Sequence, residues 1–199
     1  MRQRPAEDVS GLPTTGFGAS SPMWWGTLGF ITLEGTGFAL AIGAYLYLRQ
    51  VSDQWPIGAP APEHWAGTAM LIVLLASLWP NVMADRAAKQ MQLGRVRLWL
   101  IVMSVIGFLT LAIRGLEFLQ LQVRWDDNAY GSITWFVLGL HATHLITDLG
   151  DTLVLAALMF TRHVNEKRFS DVSDNAFYWY FVVATWVPLY AVLYGVPRL

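Results

Sequence analysis

The chain has 199 residues, 55% hydrophobic, 14% aromatic and 14% charged, with a net charge of -1 at pH 7. That balance, with a mean hydropathy of +0.42, suits a polytopic membrane protein better than a soluble domain and offers no basic run for nucleic acid. The lack of cysteine excludes disulfides, thiolate zinc sites, iron–sulfur clusters, covalently attached haem c and thiolate-ligated copper.

Residues 1–22 are polar and rich in Gly, Pro and Ser. They carry no apolar run close behind a basic start and read as an extramembrane tail. Residues 23–199 read as one all-α membrane domain, a bundle of five transmembrane helices. The first span covers about 24–48, with Trp24 and Trp25 at one end, Tyr45 and Tyr47 at the other, and Glu34 about 15 Å from its start by helical rise. Gly26, Gly29, Gly35, Gly37 and Gly43 would admit another backbone. After a Pro-rich loop, the second span covers about 64–84, and Pro80 predicts a kink or an early end. The third, about 98–121, holds Arg114 and Glu117, spaced to pair on one face or to snorkel. The fourth, about 131–160, exceeds the usual span and must tilt or project. A charged connector over 162–175 leads to the fifth, about 176–194, with Pro188 inside it.

With the N-terminus inside, nine Lys and Arg residues fall on the inner side and four on the outer. The positive-inside rule therefore predicts an inner N-terminus and an outer C-terminus.

The fourth span carries the most chemistry. His141, His144, Asp148 and Asp151 follow at intervals of three, four and three residues, which places them on one face of a helix as a stripe about 15 Å long. Ionisable groups at that depth face a bundle interior, a cavity or a partner. The His pair could reach one metal or haem edge, with Asp148 completing or orienting the site. Alternatively, the imidazoles hydrogen-bond neighbouring helices, and Glu34 meets one of them across an interface. The acids and imidazoles could relay protons or dock a larger partner subunit; docking is favoured, because the chain holds no acceptor for a relay. Trp24, Trp25, Trp179 and Tyr180 are the candidates for contact with lipid or a partner.

Several of these stretches resemble subunit III of the haem–copper oxidases. Trp25, Gly26, Phe30, Ile31 and Glu34 match a span reading W-G-x-x-x-F-I-x-S-E, with Leu33 in place of the serine. Tyr130-Gly131-Ser132 and Gly139 to Leu145 are similar to that family's Y-G-S and G-F-H-G-x-H-V. Arg114 to Phe118 is similar to Q-x-x-E-Y, and Tyr178 to Val182 to Y-W-H-F-V. Arg114, Asp148 and Tyr180 depart from the usual pattern and mark a divergent branch of the short, five-helix form. The resemblance implies a non-catalytic accessory subunit of a respiratory cytochrome c oxidase, in the bacterial cytoplasmic membrane rather than the mitochondrial one. It further implies that this subunit binds the catalytic subunit I and other oxidase subunits, holds phospholipid in a cleft and supports proton uptake during aerobic electron transport. No haem, copper or other metal is expected in this chain; they belong to the catalytic partner. Four His and five spans cannot supply a six-histidine haem–copper core. The alternatives are a subunit III-like partner of a nitric oxide reductase, or a small haem- or metal-binding membrane cytochrome using His141 and His144.

Overall fold

Each helix begins and ends where the local sequence can satisfy its end groups. In the computed structural model, which describes residues 16–162 and 164–198, α1 (Pro22–Val51) starts on a proline, whose missing N–H costs nothing in a first turn. Most of the polar stretch expected as a tail over 1–22 lies outside the described residues. Helix α2 (His64–Lys89) continues past Pro80 to Lys89 instead of ending near residue 84. It stops in a Schellman turn. Met91 takes a positive φ of 52°, its N–H bonds to the Ala88 carbonyl, and the Gln92 N–H reaches back to Ala87.

That tight turn starts α3 (Leu93–Gln120) five residues earlier than the hydropathy suggested. Helix α4 (Ala129–Phe160) is N-capped by Asn128, whose side chain accepts from the Gly131 N–H at 2.9 Å while its amide donates to the Ile57 carbonyl at 3.0 Å. A Cβ on Gly131 would collide with the Arg124 carbonyl. The glycine of the Tyr130-Gly131-Ser132 motif is therefore required by a close approach of the preceding loop.

The largest departure from the sequence reading is at α5 (Glu166–Tyr190). Residues 166–175, expected as part of a charged connector, are its first turns. Asn165 caps them, accepting from the Arg168 N–H, and Glu166 lies where the helix dipole favours an acid. A π-helical turn (Ala191–Gly195) and a 3-10 turn (Val196–Arg198) continue beyond Tyr190.

Five helices are long and apolar enough to cross a membrane, and no strand occurs among the described residues. Helix α2 packs on α3 and α5, α3 on α4, and α4 on α5, so these four close a ring. Polar contacts reinforce the α2–α5 seam: Asn81 donates to the Ala176 carbonyl (2.9 Å), Trp179 Nε1 to Ser77 Oγ (2.8 Å), and Thr68 and Tyr190 share a hydrogen bond of 2.7 Å. Helix α1 leans on α4 and α5 from outside the ring. Only 11% of its most apolar stretch is buried, against 39% to 44% for the other four.

Candidate functional site

Helix α4 faces two different neighbourhoods, and the polar stripe divides between them. On the side toward α3 and α5, a closed polar core forms. Arg114 and Glu117, three residues apart on α3, pair at 2.5 Å with both side chains almost wholly buried. The phenol of Tyr194, in the π-helical turn, donates to the other carboxylate oxygen of Glu117 at 2.5 Å. The Arg114 guanidinium stacks under Trp186, 4.2 Å from the ring centroid, and donates to His141 Nδ1 at 2.9 Å. A guanidinium has no acceptor, so Nδ1 must carry the lone pair. Nε2 then bears the hydrogen and donates to the Val182 carbonyl at 3.1 Å. His141 is thereby fixed as one neutral tautomer, with both ring nitrogens engaged. Packing supports the same core: a Cβ on Gly67 would run into the Tyr194 ring, so α2 needs its glycine where that phenol passes.

On the side toward α1, the arrangement is open. His144 Nδ1 donates to the Leu140 carbonyl at 2.7 Å, and Nε2 lies 3.2 Å from Glu34 Oε1. Tyr178 donates to Glu34 Oε2 at 2.7 Å. The two atoms are close, but His144 Nε2 makes no hydrogen bond among the described residues. Phe38 packs against both imidazoles, with centroid distances of 6.2 Å to His141 and 4.7 Å to His144.

This pair sits in the wall of a cleft of about 670 Å3 between α1, α4 and α5, which runs to the N-terminal ends of α1 and α5. Asp148, Asp151, Asp171 and Asp174 also line it, with Lys167 and Arg168. Asp148 is 3% exposed and Asp174 5%, while Asp151 stands exposed.

Of the residues singled out in the sequence, Arg114, Glu117 and His141 thus come together in the closed core, and Glu34, His144, Asp148 and Asp151 along the cleft. The two imidazoles do not converge on one point. Among the described residues, no three His, Asp or Glu side chains are grouped to hold a metal. Trp24 stacks on Phe177 at 5.2 Å, Trp25 is exposed with Nε1 donating to the Ala19 carbonyl, and Tyr180 is half-buried. Trp179 corrects an expectation: it is 1% exposed, packed between α5 and α2, and cannot touch lipid or a partner. Trp186, Tyr194, Tyr178 and Asp174 were not singled out as site residues from the sequence. Tyr194 lies 77 positions from Glu117, and no local pattern announces such a contact.

These features define an integral membrane protein of five helices whose polar groups are spent on helix contacts and one lateral cleft. The family model for cytochrome c oxidase subunit III matches residues 68–196. The chain belongs to the cytochrome c oxidase subunit III family. Among curated relatives, the cytochrome c oxidase subunit 3 of Thermostichus vulcanus is 27% identical over 176 residues, covering 87% of each chain. That of Synechocystis sp. is 25% identical over 174 residues, 85% of this chain and 74% of the relative. The probable cytochrome c oxidase subunit 3 of Nocardia farcinica is 26% identical over 180 residues, 86% of each. The protein is accordingly an accessory, non-catalytic subunit of a haem–copper oxidase and associates with other oxidase subunits. The comparisons favour neither a nitric oxide reductase partner nor a small haem cytochrome.

Proposed function

We propose that this subunit stabilises the catalytic subunit I of its oxidase, holds phospholipid in the cleft between α1, α4 and α5, and supports proton uptake at the surface where that cleft opens. The observation that carries this reading is the contrast in the wall of α4. One polar group is sealed among helices, whereas Glu34 and His144 line a lateral cavity large enough for an acyl chain. In this reading the N-terminus, and with it the cleft mouth, faces the cytoplasm across a bacterial inner membrane, as the positive-inside count favours. Haem and copper belong to the catalytic partner in this reading.

The test is affinity purification of the chain from its native membrane in mild detergent, with a reduced-minus-oxidised spectrum and identification of the co-purifying chains. Haem bands arriving with a large many-span subunit are expected. A colourless chain without partners would overturn the reading. In the same preparation, Glu34→Ala is expected to leave the haem spectrum intact while lowering the phospholipid retained; loss of haem in that variant would contradict the division of labour.

A further inference from the structure

We propose that residues 16–21 form a latch that holds the N-terminal half of α1 against the four-helix ring, and that this half-helix swings outward about residues 35–37 when the latch lets go.

Burial along α1 is uneven. Among the described residues, its buried side chains are Phe38, Ala41 and Tyr45, all toward the C-terminal end, and all three belong to the main apolar core. Tyr45 is held further by Trp55, whose Nε1 donates to the phenol oxygen at 3.2 Å with the two rings edge to face. Residues 22–37 have no such footing. They border the cleft of about 670 Å3 and meet the ring through single side chains: Trp24 stacks on Phe177 at 5.2 Å, and Tyr178 donates to Glu34 at 2.7 Å. An arm of this length, about 24 Å by helical rise, keeps one position only if its far end is tied.

The segment before it supplies the tie. Phe17, the one aromatic residue of the polar stretch 1–22, packs against the apolar cluster that includes Ala88, Val96, Met159 and Phe169, where α2, α3, α4 and α5 converge. Ser170 Oγ of α5 donates to the Gly16 carbonyl at 2.7 Å. From there the chain turns tightly back to α1. Ser20 Oγ donates to the Phe17 carbonyl at 2.8 Å, the Ser21 N–H to the Gly18 carbonyl at 2.8 Å, and Trp25 Nε1 to the Ala19 carbonyl at 2.9 Å. Gly18 takes a φ of 60°, which only glycine adopts without penalty. One end of the segment is thus fixed to the ring and the other to α1. A single neutral hydrogen bond and one partly buried ring make the ring-side contact, few enough to open while the ring stays folded.

The same helix carries a place to bend. Gly35 and Gly37 flank Thr36, whose hydroxyl donates back to the Thr32 carbonyl at 2.9 Å, as the Thr32 hydroxyl does to Leu28 at 2.8 Å. Such back-bonding bends helices, and glycine weakens a helix interior. A Cβ on Gly37 would meet nothing within 4 Å, so packing does not account for that glycine. The bend falls at the junction of the packed half and the arm.

The chain has no cysteine, so spin labels attach only where cysteines are introduced. The test uses the full chain in lipid nanodiscs with one label pair at the latched end, Gly29→Cys with Leu98→Cys, and another at the opposite end, Tyr47→Cys with Leu119→Cys; all four sites are exposed. Double electron–electron resonance is expected to give one narrow distance for each pair when the latch is native. Phe17→Ala combined with Ser170→Ala is expected to raise the released share about tenfold, leaving the second pair unchanged. The released form reads as a second peak about 5 Å longer at the first pair, the swing of a roughly 20° bend acting over about nine residues. Should that variant not fold, Gly18→Val serves. A side chain there meets nothing within 4 Å but strains the turn at its φ of 60°, and the same longer peak is expected with the bundle untouched. A first pair that keeps its native distance in both variants overturns the proposal, as does a first pair already broad with the native latch. So does a second pair that lengthens along with the first, which would mean a general loosening and no hinge.

Discussion

The Arg114 core and the Glu34 cleft lie on adjoining faces of α4, three residues apart at His141 and His144, yet they meet the cost of buried charge in different ways. In the core, Arg114, Glu117, His141 and Tyr194 bond to one another, leaving only the Arg114 Nε and Trp186 Nε1 donors without a hydrogen bond, and His141 is wholly buried. In the cleft, His144 Nε2, Asp148 Oδ1 and both carboxylate oxygens of Asp174 are buried without a hydrogen bond among the described residues. A closed network of this kind fixes helix positions. An open one has capacity left for something from outside. The difference teaches that polarity on a membrane helix is not a single signal: its meaning depends on whether the neighbouring helices complete the hydrogen bonds.

The comparison breaks most readily at Arg114. Arg114→Ala leaves the Glu117 carboxylate buried and unpaired, and is expected to destabilise the fold by about 3 to 5 kcal/mol in detergent unfolding. Arg114→Met combined with Glu117→Gln should recover most of that loss, because it removes both charges together. Recovery failing altogether would mean that the core depends on the charges themselves and not on their mutual satisfaction. Tyr194→Phe is a gentler cut, depriving Glu117 of one donor, and should cost about 1 to 3 kcal/mol in the same assay. Glu34→Gln should cost only about 1 kcal/mol, since the amide still accepts from Tyr178 and still fills the cleft wall. If Glu34→Gln proved as damaging as Arg114→Ala, the two regions would not differ as described. Met91→Gly, remote from both, sets the scale: relieving a side chain at positive φ is expected to stabilise by about 1 kcal/mol.

Much of this was legible beforehand, for reasons that depend on local spacing. Arg114 and Glu117 are three residues apart on a helix, so their pairing follows from helical geometry. A meeting of Glu34 with one of the histidines was foreseeable from their similar depth. The spacing of His141, His144, Asp148 and Asp151 was read as one stripe, and it is one on α4 itself. What spacing could not reveal is that two sets of helices share that stripe, so that His141 turns to α3 and α5 while His144 turns to α1. The burial of Trp179 was missed for a related reason. With α5 thought to begin at 176, Trp179 falls near an end, where tryptophan usually marks the interface. With α5 beginning at Glu166, it lies about 20 Å along the helix, on the face that packs against Ser77 of α2. Charged residues over 166–175 hid those turns from a hydropathy reading. The remaining contacts, Tyr194 to Glu117 and Tyr178 to Glu34, join residues 77 and 144 positions apart, and only tertiary packing brings such residues together.

The most direct test of the central claim is to purify the oxidase complex carrying Glu34→Gln beside the complex carrying Glu117→Gln, and to compare haem content and bound phospholipid for each molecule of this subunit. The account predicts that Glu34→Gln retains full haem with less phospholipid, whereas Glu117→Gln accumulates less of the subunit and less associated haem. Loss of haem with Glu34→Gln, together with normal assembly of Glu117→Gln, would contradict it.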